Sequence, residues 1–338
     1  MYHHTVAHAS SSDGVLPLAH LTSTGGLPAR AAAARPLQQR RMVSIRELPT
    51  ASALNRCTSQ RMPFTRTLNP YRGCEFACVY CYARYTHSYL GLHDPVEFET
   101  KIFAKVGMPR LLRRELAGTD LTGESVAIGT VTDPYQPAER RLGITRKLLG
   151  AFRLVRGITL SITTKSDLVV RDMDLLLEIA RHNRVHINMT VVTLDPALAR
   201  GLEPRAPRPD LRLAALATLR RKGINAGIFA MPILPGLTDS HDDLHALAAA
   251  TAAAGGQYLV ADPLFVRSCI RPTLFAFLQD HDPNLLRRYR RVYGLNGHLP
   301  REYLHRLRER VNKVRAAHGL LKGPAPAPGG HGKDNSKP

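Results

Sequence analysis

"GCEFACVYCYAR" (residues 73–84) sets Cys74, Cys78 and Cys81 within eight positions, three of the five cysteines in the chain. The spacing is Cys-x3-Cys-x2-Cys. A loop this short can wrap a compact inorganic group and turn each thiolate to a different corner. Cubane iron–sulfur clusters are held by cysteine thiolates, usually four. Three thiolates leave one iron open, and an open position on a metal centre is where a substrate or cosubstrate coordinates. Zinc is the competing occupant. His87, six residues after Cys81, or Cys57 upstream would then complete a four-donor site.

Outward from the cysteines, short β-rich runs stand at 64–69, 126–131, 159–164, 185–192, 225–233 and 257–265. Helical patterns at 138–155, 172–182, 210–223 and 239–256 separate most of them; Leu142, Leu148, Leu149, Phe152 and Val155 recur near a 3.6 period in the first. Strand alternating with helix predicts parallel strands joined by helical crossovers. Six strands are too few for a closed eight-stranded barrel, so a partial barrel or an open parallel sheet is expected. Polar and small residues collect at the C-terminal ends of four runs: Thr130, Thr132 and Asp133; Thr163, Thr164 and Lys165; Asn188, Thr190 and Thr193; and Asp262. Ligands of parallel α/β folds bind at that edge. The cysteine stretch comes directly after the first run and belongs to the same edge. Thr, Asp and Pro also end strands simply as turns, but four ends together favour a shared site.

The remaining composition bounds the answer. The chain has 338 residues, 44% of them hydrophobic, enough for one large catalytic domain with appendages. No apolar run approaches the ~18 residues of a membrane span, and the start carries no secretory pattern. Clustered cysteines then predict metal or redox chemistry in a reducing cytoplasm. Residues 1–45 and the Pro/Gly tail 323–338 are expected to be disordered, with a catalytic core over 46–270 and a basic helical extension over 271–322. The balance of 47 Lys+Arg against 27 Asp+Glu gives a net charge of +20. That charge suits a polyanionic partner such as nucleic acid, or simply an arginine-rich solvated surface. Residues 271–322 hold 12 Lys+Arg against 4 Asp+Glu. In the helical patterns 283–294 and 300–319, Tyr289, Tyr293 and Tyr303 interleave with Arg287, Arg288, Arg290, Arg291, Arg306 and Arg308. Arginine binds phosphate bidentately and stacks on bases; equally, the tyrosines would pack on the core.

The cysteine spacing, with Tyr80 just before the third cysteine, resembles the signature of radical S-adenosylmethionine (SAM) enzymes. "NPYRGCEFACVYCYARYTHSYLG" (69–91), "VAIGTVTDPYQPAER" (126–140), "ITTKSDLVVRDMDLL" (162–176), "LEPRAPRPDLRLAAL" (202–216) and "GIFAMPILPGLTD" (227–239) resemble the DNA-repair-photolyase-like branch related to spore photoproduct lyase. The resemblance implies an α/β partial (β/α)6 barrel and a 4Fe–4S cluster on Cys74, Cys78 and Cys81. It implies SAM bound at the open iron by its amino and carboxylate groups, and an electron donor such as flavodoxin or ferredoxin. One electron would then cleave the sulfonium to a 5′-deoxyadenosyl radical that abstracts hydrogen from a substrate, which the sequence leaves open among nucleic acid, peptide and small metabolite. By position, Tyr80 would lie near adenine. Thr132, Asp133 and Glu139 would meet the methionine end of SAM, and Thr163, Lys165 and Asn188 its carboxylate or ribose. There are departures. The superfamily's Gly-Gly-Glu run is Thr132-Asp133-Pro134 here. Gly129-Thr130-Val131 lacks the hydrogen-donor cysteine of spore photoproduct lyase, and Cys269 is either a substitute donor or a buried thiol. The alternative reading is a zinc-stabilised nucleic-acid-binding module without catalysis. The polar strand ends favour the enzyme, because such a module has no need of them.

Overall fold

The computed structural model describes residues 26–40 and 43–324. Its strands are β1 (Pro36–Arg40), β2 (Val43–Glu47), β3 (Asn55–Arg56), β4 (Arg66–Leu68), β5 (Tyr71–Arg72), β6 (Lys101–Ala104), β7 (Ser125–Ile128), β8 (Thr159–Thr164), β9 (Arg184–Thr190), β10 (Asn225–Ile233) and β11 (Leu259–Pro263). β4, β7, β8, β9, β10 and β11 lie side by side in chain order and pair in parallel throughout. β3 adds an antiparallel edge beyond β4. This is the expected partial (β/α)6 barrel. The parallel pairing follows from the helices between the strands, since a parallel neighbour is reached only by a crossover.

Side-chain alternation fixes which face of each strand meets the helices. Along β8, Leu160 and Ile162 enter the apolar core with Val185, Ile187 and Met189 of β9. Ser161 and Thr163 alternate with them and face Asn188, whose amide nitrogen donates to both hydroxyls at 2.9 and 3.1 Å. The Tyr258 hydroxyl closes the set by donating to the Asn188 side-chain oxygen Oδ1 at 2.7 Å. The helix side is therefore greasy and the inner side is a satisfied polar network.

Three expectations need correction. Residues 1–45 are not disordered over their described part: Leu27–Ala32 is helical, and β1 and β2 form an antiparallel pair that continues into β6 and β5. Only a few positions there meet a core, with Leu27, Ala31 and Ala34 packing on Leu48, Leu90 and Phe103, so no sustained period is visible in the sequence. Residues 1–25 and the tail beyond 324 lie outside the described residues. The pattern 138–155 is not one helix. Gly143 takes a left-handed conformation at φ 59° and divides it into Glu139–Leu142 and Ile144–Phe152. A helix at Arg271–His281 precedes the two expected ones, Pro283–Tyr293 and Arg301–Ala317.

The C-terminal helices divide their allegiance. Leu307, Val311 and Val314 of the last helix join the barrel core. Leu274, Leu278, Leu285, Leu286, Tyr289 and Tyr293 instead share a second apolar cluster with Cys74, Cys78 and Tyr80. Tyr289 and Tyr293 are each only 1% exposed, so they pack on the core and are closed to stacking on bases. The four arginines of Pro283–Tyr293 remain exposed around them. No helix among the described residues is long and apolar enough to cross a membrane.

Candidate active site

The cysteine loop leaves the C-terminal end of β4 and is clamped from the end of β7. The Asn69 side chain donates to Thr130 Oγ1 at 3.0 Å and accepts from the Val131 amide at 3.1 Å. Thr132 Oγ1 and Gln136 Nε2 both donate to the Gly73 carbonyl, at 2.6 and 3.2 Å. The Glu75 amide donates to Gln136 Oε1, and the Glu75 carboxylate accepts from the Ala138 amide. Gly73 has φ +81°, and a Cβ there would stand 2.7 Å from the Phe98 carbonyl oxygen. The tightness of "RGC" thus depends on glycine. Arg84 closes the far side, donating to the Cys78 carbonyl at 3.0 Å while paired with Glu99 at 2.6 Å.

Cys74 and Cys78 are buried and Cys81 is half-buried, all in one apolar cluster. Burial pushes each thiol above its ordinary range, Cys78 to about 12. Bare thiols there stay protonated, and coordination must release those protons. Of the other candidate ligands, His87 stands beside Gly73 but is bonded to the backbone of another strand, and Cys57 is distant. His87 Nε2 is 2.9 Å from the Lys101 carbonyl, its ring packs on Phe98 and Phe103, and burial lowers it to about 4. The Cys57 amide bonds Thr65, before β4 begins, at the opposite end of the strand array. Among the described residues no group of three His, Cys, Asp or Glu is placed to hold a single metal ion. Three thiols from one loop suit a cluster with one corner open.

Behind the thiols sits a buried charge network. Glu203, fully buried, pairs with Arg212 at 2.5 Å and lies 3.8 Å from Lys165 Nζ. It also accepts a hydrogen bond from the Tyr80 hydroxyl. Lys165 Nζ stands 5.7 Å from the Tyr80 ring centroid. Burial acts to lower Lys165, but the Glu203 carboxylate and its other charged neighbours outweigh it and the ammonium is held up. Burial acts to raise Glu203, but Arg212 and Lys165 outweigh it and the carboxyl is held down. Glu203 is thus a fixed anion between two cations. It falls within the stretch "LEPRAPRPDLR", yet nothing local in the sequence marks it, since its partners are brought in by the fold.

The expected site residues divide. Tyr80, Thr132, Asp133, Thr163, Lys165 and Asn188 come together at the strand-end edge. Asp133 straps two strand ends, accepting from Thr164 Oγ1 and the Lys165 amide at 2.7 Å each. Glu139 does not join them. It is fully buried, accepting from the Tyr71 hydroxyl at 2.5 Å and the Thr145 amide at 3.0 Å, and paired with Arg171 at 2.9 Å. The break at Gly143 turns the Thr145 and Arg146 amides onto its carboxylate, which makes it a structural anchor. Cys269 approaches the loop, its thiol 3.6 Å from the Tyr82 carbonyl oxygen.

Comparison with known proteins agrees with this geometry. The sequence model described as the radical SAM superfamily matches residues 68–248. Uncharacterised proteins of Mycobacterium tuberculosis and Mycobacterium bovis are each 37% identical over 287 residues, 85% of this chain and 84% of the relative. One from Methanocaldococcus jannaschii is 32% identical over 172 residues, 51% of this chain and 61% of that protein. Among solved structures, a mutant spore photoproduct lyase superposes with a TM-score of 0.60 at 14% identity, covering 80% of this chain and 79% of that one. Another variant of that lyase, holding AdoMet and dinucleoside spore photoproduct, superposes at 0.58 with the same coverage and 14% identity. The sequence match spans the cysteine loop and most of the strands that seat it, and so the chain belongs to the radical SAM superfamily, enzymes that use a 4Fe–4S cluster and SAM.

Proposed function

We propose that this radical SAM enzyme abstracts a hydrogen atom from a nucleic-acid substrate. The observation that carries the reading is the three-thiol loop at the strand-end edge, with the Lys165–Glu203–Arg212 network fixed behind it. When bound, the 4Fe–4S cluster and SAM supply one-electron cleavage of the sulfonium and the radical that takes the hydrogen. Cys74, Cys78 and Cys81 would hold the cluster. Lys165 keeps positive charge beside the thiolates, where it offsets the anion that coordination creates. Glu203 fixes that ammonium and anchors the Tyr80 ring. Thr132, Asp133, Thr163 and Asn188 would line the SAM side, held in place by their bonds to one another and to the loop. The segment after β11 is fastened to the loop: Thr273 Oγ1 of the Arg271–His281 helix donates to the Val79 carbonyl at 2.7 Å.

Nucleic acid is supported by the net +20, by the exposed arginines on Pro283–Tyr293, and by the dinucleoside ligand held in the similar lyase structures. Repair of a thymine dimer in that lyase's manner is not part of the reading, because no cysteine stands at Gly129-Thr130-Val131. The test is anaerobic. Reconstituted, dithionite-reduced protein is incubated with SAM, alone and with DNA or RNA, and 5′-deoxyadenosine is measured by chromatography. Slow formation alone, accelerated by one nucleic acid, is expected. Absence of the product from a protein with a full cluster would overturn the chemistry; formation that neither nucleic acid changes would overturn the substrate.

A further inference from the structure

Arg72 ends β5, just before Gly73 and Cys74, and Lys105 directly follows β6. Arg72 stands opposite Phe103 in that antiparallel pair, and the Lys105 amide extends it by donating to the Pro70 carbonyl at 3.0 Å. Alternation along the two strands therefore puts Arg72, Phe103 and Lys105 on one face, with the two cations as diagonal neighbours. Tyr71 points the other way, to Glu139. Both cations are buried, Arg72 being 7% and Lys105 8% exposed.

Neither cation has a carboxylate partner among the described residues. The ionisable groups that act on Arg72 are the Tyr85 and Tyr89 phenols, and Arg72 alone acts on Lys105. The acids of the short helix that leads into β6 are taken: Glu97 pairs with Lys101 and Glu99 with Arg84, each at 2.6 Å. Burial and the Arg72 charge push the Lys105 ammonium down to about 7. Among the described residues the guanidinium donates one hydrogen bond, to the Thr86 carbonyl at 3.4 Å, and the ammonium none. The nitrogens left unbonded are not sealed from solvent. A buried cation without an anion is costly, and here two adjoin.

We propose that Arg72 and Lys105 together bind a phosphate dianion, at a site beside the cysteine loop. Free phosphate or a terminal phosphate group carries close to two negative charges at neutral pH, enough to offset both cations. A phosphodiester or a carboxylate carries one and leaves a cation stranded. Guanidinium forks onto phosphate oxygens, and ammonium meets them as a point charge. The position gives the site a use. Arg72 runs directly into Gly73 and Cys74, and its bond to Thr86 reaches the segment Tyr82–Leu90 that follows Cys81. An anion held there ties together the chain on both sides of the cysteine loop. The site stands whether or not the substrate is a nucleic acid.

The test is calorimetry and thermal unfolding of the cluster-loaded protein in inorganic phosphate, against chloride at equal ionic strength. Phosphate binding is expected, with a midpoint that rises because the ligand binds only the folded state. Lys105→Met keeps the buried stem and removes the charge. In chloride it should unfold no lower than the parent, since a stranded buried cation is gone. It should bind phosphate at least about tenfold more weakly, having lost a charged donor. Lys222→Met, at an exposed lysine, should bind as the parent does. Phosphate should also protect Lys105 from acetylation by acetic anhydride, read by mass spectrometry, which tests the parent without any substitution. Competition by a nucleoside 5′-monophosphate would identify a terminal phosphate group as the ligand, and lack of competition free phosphate. No phosphate binding by the parent, no protection of Lys105, or parent-like affinity in Lys105→Met would overturn the proposal.

Discussion

Glu203 and Arg212 are both sealed from solvent, with side chains 0% and 1% exposed. Two buried charges are costly to desolvate, and removing one strands the other. Glu203→Gln should therefore destabilise the protein by about 3–5 kcal/mol, read as a lower urea midpoint. Glu302→Gln breaks an equally short pair with Arg306, but at a site 78% exposed, where the loss should stay within about 0.5 kcal/mol. Similar losses in the two variants would mean that the interior network carries no special weight. The cysteines make a different prediction, about composition. Cys74→Ala, Cys78→Ala and Cys81→Ala should each abolish cluster binding after anaerobic reconstitution, while Cys57→Ala, at the far end of the strand array, keeps full iron and sulfide. Cys269→Ala should also retain the cluster, since its thiol is engaged with the Tyr82 carbonyl. Full iron content in the Cys78 variant would remove the basis of the site.

At the scale of elements, the decisive piece is the cysteine loop that leaves β4. It has little secondary structure of its own, and hydrogen bonds from the end of β7 set its shape. Gly73 and Gly223 separate two effects. Both have positive φ, +81° and +84°, but a Cβ at Gly223 would meet nothing within 4 Å, whereas at Gly73 it would strike the Phe98 carbonyl. Gly223→Ala should cost about 1–2 kcal/mol for the left-handed backbone alone. Gly73→Ala should cost more than that, and it should also lower iron content, because the displaced backbone is the one carrying Cys74. Thermal unfolding with iron analysis checks both. Normal iron binding by a well-folded Gly73→Ala protein would show that the loop tolerates a shift there. The helix Pro283–Tyr293 illustrates the same division of labour. Its apolar stripe of Leu285, Leu286, Tyr289 and Tyr293 is used up in packing, which leaves only the arginines to meet a partner.

For the whole molecule, the excess of positive charge predicts binding that falls as salt rises. Replacing Arg287, Arg288, Arg290 and Arg291 with Gln should flatten the slope of log K against log salt by about 0.7–0.9 for each phosphate that is no longer neutralised. The weakening should be similar across sequences, as read by anisotropy with labelled DNA and RNA. An unchanged slope would make the arginine face a solvated surface with no part in binding. The strand–helix alternation was legible from the residues alone, because helix and strand periods are local properties that each segment carries with it. So was the clustering of the thiols, because three cysteines in one short loop need no folding to be neighbours. The fate of Glu139 was not legible. Its position after "TDPYQPA" reads as a ligand contact, and only the break at Gly143 and the approach of Arg171 turn it into an internal anchor. Glu203 was hidden for the same reason in reverse, since Tyr80, Lys165 and Arg212 reach it from three other segments. The sequence by itself determined the parallel α/β architecture and the cysteine loop. Which carboxylate stands behind that loop, and which tyrosines are buried, only the tertiary structure decided, because long-range packing chooses the partner of a charge and local spacing does not.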